Sequence, residues 1–138
     1  MLYLYKKEEF TLDFSFFGLI ESLPEQFSCK SKDFSISDQF IMVNEGYQWK
    51  GPPPIFEFDF LGNTYHLTLP RGDFFVNNKR KIWVPSLILD VLYKVHRACP
   101  IISEDFVINV YKKALLDNDV NPFITKLFVY AAKKKLFA

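Results

Sequence analysis

The stretch IFEFDFLGNTYHLTL, residues 55–69, decides the fold class. Phe56, Phe58 and Phe60 alternate with Glu57 and Asp59, while Tyr65, Leu67 and Leu69 alternate with Thr64, His66 and Thr68. Successive side chains of a strand point to opposite faces, so each run reads as a strand with one apolar and one polar face. Leu61-Gly62-Asn63 supplies a three-residue turn between them, and the whole reads as a β-hairpin. The phenyl face is expected to form core. Glu57, Asp59, Thr64, His66 and Thr68 are expected to face water, as in an antiparallel sheet packed by helices on one side only.

Toward the N-terminus the pattern stays mostly extended. Phe10, Leu12, Phe14 and Phe16 alternate with Thr11, Asp13 and Ser15, and residues 2–5 read as a further short strand. From Phe16 onward, Phe17, Leu19, Ile20 and Leu23 follow helical spacing until Pro24, which predicts a short N-terminal helix. Phe34 and Ile36 alternate with Ser35 and Ser37, and residues 40–43 form an apolar strand. Residues 44–54 carry two glycines and end in three consecutive prolines, so they read as a loop leading into a stiff extended arm.

Toward the C-terminus a second hairpin is expected, with strands 74–76 and 81–84 joined at Asn77-Asn78. The period then turns helical. Ser86 is expected to cap a helix with Leu87, Ile88, Val91, Leu92 and Val95 on its apolar face, closed by Pro100. Ser103 caps a second helix with Glu104 and Asp105 in its first turn, where the helix dipole favours acids. Asn121 and Pro122 open a third helix that ends in Lys133, Lys134 and Lys135. Strands followed by helices make the fold α+β: an N-terminal antiparallel sheet of two or more hairpins, packed on one face by C-terminal helices. The expectation is one globular domain over 1–138, mainly β with a short helix over 1–84 and three helices over 85–138.

Of 138 residues 18% are aromatic, and 16 are Phe, which has no polar atom to satisfy and so belongs mainly to a core. Charged residues make up 24% with no long polar tract, which argues against a disordered chain. Cys29 and Cys99 lie far apart and outside any C-x-x-C pair, as expected of thiols in a reducing compartment, with a single disulfide between them as the alternative. With no signal-peptide pattern at the start and no apolar run near the ~20 residues that span a bilayer, the expected location is cytoplasmic.

The near-neutral total of +1 hides a division of charge. Residues 1–69 hold five lysines against ten acids, a net of −5; residues 70–138 hold twelve basic residues against six acids, a net of +6. Two opposed patches of this kind attract different partners and also leave self-association open.

Candidate sites follow from these surfaces. Tyr47 and Trp49, held by the proline arm, read either as interface anchors or as a lid folded over the core. Together with Glu57, Asp59 and His66 on the acidic hairpin face they form a candidate partner-binding set. Side chains at i and i+2 share a strand face, so Glu57, Asp59 and His66 also admit an acid–base reading. Two His and two distant Cys are a poor ligand set for a metal, and no catalytic, metal or cofactor motif is expected. Lys79, Arg80, Lys81, Lys112, Lys113, Lys126, Lys133, Lys134 and Lys135 form the alternative, nucleic-acid-binding set. The third helix offers no Arg, Asn or Gln to read base edges. The leading expectation is a small cytosolic non-catalytic module that binds another, basic protein, as an inhibitor or immunity-type protein neutralises a toxin or nuclease. The alternative is a nucleic-acid accessory protein using the basic C-terminal half.

Overall fold

A computed structural model describes residues 3–7, 9–68, 75–76 and 79–137, with the backbone alone at Tyr3, 75–76 and 79–80. Its strands in chain order are β1 (Tyr3–Lys6), β2 (Phe10–Thr11), β3 (Phe16–Leu19), β4 (Cys29–Lys30), β5 (Phe34–Ser37), β6 (Phe40–Val43), β7 (Gln48–Trp49), β8 (Phe56–Phe60), β9 (Asn63–Thr68), β10 (Phe75–Val76) and β11 (Lys79–Arg80). Helices α1 (Trp83–Ala98), α2 (Glu104–Asp117) and α3 (Pro122–Leu136) follow. The described strand pairs are antiparallel, and the class is α+β.

The chain divides into two compact units. The larger comprises Met1–Glu8 and Lys50–Ala138; the other, Glu9–Trp49, is inserted between β1 and the proline arm. The larger unit holds a three-stranded sheet in the order β1-β9-β8, so the first strand pairs with one more than fifty residues later. Its helices form a sequential α1–α2–α3 array. Leu87, Val91, Leu92 and Val95 of α1, Val107, Tyr111 and Leu115 of α2, and Phe128, Ala131 and Ala132 of α3 are buried. The helix starts follow capping chemistry: the Ser103 hydroxyl accepts from the Phe106 N–H, and the Asn121 side chain accepts from the Phe123 N–H, with Pro122 at the first helical position.

The inserted unit is all β. Its four-stranded sheet runs β3-β6-β5-β4, and β2 pairs separately with β7. The buried face carries Phe34, Ile36, Ile41 and Val43, with Leu12, Ile20 and Leu23 buried beside them in sequence. The β5–β6 turn places Asp38 and Gln39 at φ 51° and 67°. Gln39 is held there because its amide donates to the carbonyls of Glu21 and Leu23, each at 2.7 Å.

Several sequence expectations are corrected. No helix forms over 16–23: the period-2 pattern continues through β3, and Gly18 in its middle disfavours a helix. The helical spacing of Ile20 and Leu23 belongs to a single turn, in which the Leu23 N–H donates to the Ile20 carbonyl. The second strand of the second hairpin is Lys79–Arg80 rather than 81–84, with Val76 opposite Lys79; positions 74, 77 and 78 lie outside the described residues. Ile82 precedes α1 and Trp83 opens it, three residues ahead of the expected cap. Ser86 therefore sits inside the helix, buried, and its hydroxyl donates to the Trp83 carbonyl at 2.9 Å.

The β8–β9 hairpin forms in the expected place, but its turn has two residues, with Phe60 opposite Asn63. Leu61 and Gly62 both take positive φ, 48° and 80°, as a two-residue hairpin turn of the I′ type requires. Leucine resists that region and asparagine tolerates it. Leu61→Asn is expected to stabilise the larger unit by about 1 kcal/mol, read as a raised urea midpoint at unchanged slope.

Candidate functional site

The hairpin faces are inverted relative to expectation. Phe56 and Phe60 are 57% and 59% exposed, whereas His66 is 1% exposed and Thr68 is fully buried. Pairing sets the two sides: Leu4, Leu67 and Phe56 share one face with Phe58 and Tyr65, while Tyr5, His66 and Glu57 share the other. Phe58 stacks on Tyr65 with ring centroids 5.7 Å apart. The phenyl side is thus an exposed apolar face. The side carrying His66 is the one turned inward.

A buried imidazole needs a hydrogen-bond partner, and the strand register supplies it. Glu57 stands directly opposite His66, and the His66 Nε2–H donates to Glu57 Oε2 at 2.8 Å. Partial burial pulls the Glu57 carboxyl upward. The His66 hydrogen bond and the positive charges of Lys135 and Lys7 outweigh it and hold the carboxyl below its usual value. The pair borders a cavity of about 160 Å³, whose wall includes Ser86, Asp90 and Tyr93 of α1, Lys135 of α3 and the three prolines 52–54. Pro52, Pro53 and Pro54 are buried. Lacking N–H groups, they line the wall without leaving a donor unsatisfied.

The chemistry open to this cavity is limited by commitments already made. The Glu57 carboxylate and the His66 Nε2–H engage each other, Ser86 donates to backbone, and Asp90 pairs with Lys94 at 3.2 Å. The arrangement positions an imidazole, with exposed Lys135 on the same wall. Among the described residues no group of three His, Cys, Asp or Glu side chains is placed to hold a metal ion. No family model, no characterised protein and no solved structure matches this chain. Its chemistry is read from its own side chains.

The predicted site residues distribute as follows. Tyr47 and Trp49 lie in the inserted unit, 4% and 2% exposed. Trp49 stacks on Phe10 with centroids 5.5 Å apart, and Tyr47 packs edge-on against Phe34 at 6.5 Å. Burying both rings completes a small β core within the inserted unit. Asp59 is exposed, accepts from the Thr64 hydroxyl at 2.7 Å, and is not part of the cavity wall. His96 is a structural staple: its Nδ1–H donates to the Ile102 carbonyl and its ring packs against Phe137.

The basic set separates too. Lys81 donates to the Asp119 carbonyl, Lys113 pairs with Asp117 at 2.9 Å, and Lys135 lines the cavity. Lys112 is exposed on α2, and Lys126, Lys133 and Lys134 are exposed on α3; the side chains of Lys79 and Arg80 lie outside the described structure. Sequence reasoning missed Ser86, Asp90 and Tyr93 as cavity residues. The three-to-four-residue spacing of 86, 90 and 93 on one helix face was the available signal.

Because ionised Glu57 is favoured in the folded state, the pair stabilises the fold fully above the ordinary glutamate value of 4.5. That contribution is lost as pH falls through the lowered folded-state value. The stability gap between the wild type and Glu57→Gln is therefore expected to be full at neutral pH and to close below pH 4.5, measured by urea unfolding across that range.

Proposed function

We propose that this chain is a non-catalytic protein-binding module that docks on a basic protein through its inserted unit. The observation that carries the reading is the outward face of the four-stranded sheet. Leu19 stands opposite Phe40 and Phe17 opposite Met42, and Phe17, Leu19 and Phe40 are largely exposed. An exposed apolar face of this kind is the surface type that protein partners cover.

Charge supports a basic partner. The segment 9–49 carries seven acids, Glu9, Asp13, Glu21, Glu25, Asp33, Asp38 and Glu45, against Lys30 and Lys32, a net of −5. All seven are exposed, and among the described residues no ion pair holds any of them. The complementary surface is an apolar patch ringed by Lys and Arg. Long-range attraction would speed encounter, and burial of the phenyl rings would hold the complex. A basic enzyme such as a nuclease is the partner class that such a surface would neutralise, in a cytoplasm where Cys29 and Cys99 stay as thiols. No helix among the described residues is long and apolar enough to cross a membrane.

The test starts from the protein recovered in stoichiometric amount with the untagged chain, identified and purified. Phe17→Ser/Phe40→Ser is expected to weaken that complex about tenfold or more, with association slowing as salt rises. Recovery of an acidic partner, or unchanged affinity of the variant, overturns the reading.

A further inference from the structure

Helix α3 contains no acid, and one stripe of it is both basic and aromatic. With 3.6 residues per turn, Phe123 and Tyr130 lie nearly in line, one heptad and roughly 10 Å apart along the axis. Lys126 and Lys133 flank that line on one side and Lys134 on the other. Both rings and all three lysines are exposed. No carboxylate among the described residues pairs with these lysines.

We propose that this stripe is a binding surface for single-stranded nucleic acid, recognised without sequence preference. Flat rings at intervals offer stacking platforms for unpaired bases, and lysines beside them meet the phosphates. The larger unit holds fifteen basic residues against nine acids, a net of +6, so the surroundings favour a polyanion. Base-edge readers are missing from the helix, in keeping with recognition by stacking and charge. An anionic bilayer fits less well. An interfacial helix must sink a whole apolar face into lipid, and here Thr125, Phe128, Ala131 and Ala132 on the opposite side are buried within the fold.

The probe is a fluorescein-labelled oligothymidylate of about 20 nucleotides, followed by anisotropy alongside a duplex of the same length and vesicles of equimolar phosphatidylcholine and phosphatidylserine. Three phosphate contacts on a single strand predict an affinity that falls about 20-fold between about 50 and about 200 mM salt. Lys126→Gln/Lys133→Gln is expected to flatten that dependence to about 3-fold, while Lys126→Arg/Lys133→Arg keeps both affinity and slope. Phe123→Leu/Tyr130→Leu is expected to weaken binding about tenfold or more at an unchanged salt slope, because it removes stacking and leaves charge. Unchanged melting temperatures show that these surface variants fold. Failure to bind the oligonucleotide at low salt, equal or tighter binding to vesicles or duplex, or indifference to the aromatic substitutions each overturns the proposal.

Discussion

The His66–Glu57 hydrogen bond lets the larger unit bury the polar side of its sheet. An imidazole with almost no exposure would cost far more than the sheet could recover unless its N–H were matched. The register places the matching carboxylate directly across the strand pair, so the bond needs no long side chain to fold back. Once that side turns inward, the rest follows from strand geometry. Phe56, Phe58 and Phe60 must point outward, because alternate residues cannot share a face. The prolines of the arm then close the cavity wall with residues that have no donors to leave unmatched.

The charge division gains meaning from the two units. As a division of the chain it falls between residues 69 and 70; in the structure it separates the inserted unit from the remainder, with the same totals of −5 and +6. The two divisions agree because residues 1–8 and 50–69 together carry three lysines and three acids. Each unit therefore has its own electrostatic character, and each carries exposed apolar side chains of its own: Phe17, Leu19 and Phe40 in one, Phe123 and Tyr130 in the other.

What the sequence made legible was the chemistry that acts over a few residues. Ser103 and Asn121 announce helix starts because a cap is a local hydrogen bond, and the β8–β9 hairpin announces itself by alternation around Gly62. What stayed hidden depended on distant partners. Alternation defines two faces of a strand but not which one the chain covers, and the phenylalanines pointed to the wrong side. The α1 start was misplaced because Ile82 offers no side-chain cap to see, whereas the hydroxyl of Ser86 imitates one. The cavity was invisible for the same reason. Its wall draws on residues 50–54, 57, 66, 86, 89, 90, 93 and 135–136, which only the folded chain brings together.

The inserted unit also governs the order in which the chain can take shape. Strand β1 leaves the ribosome early, yet its pairing partner β9 follows more than fifty residues later. Glu9–Trp49 contains both sides of all its own strand pairs, so it can close while β1 still waits. Contacts of such long sequence separation slow folding, because a large loop must close before they are rewarded. The β2–β7 pair sets Phe10 opposite Trp49, so closing the insert draws together the two chain ends that lead to β1 and to the proline arm and shortens the loop that the β1–β9 pairing must close.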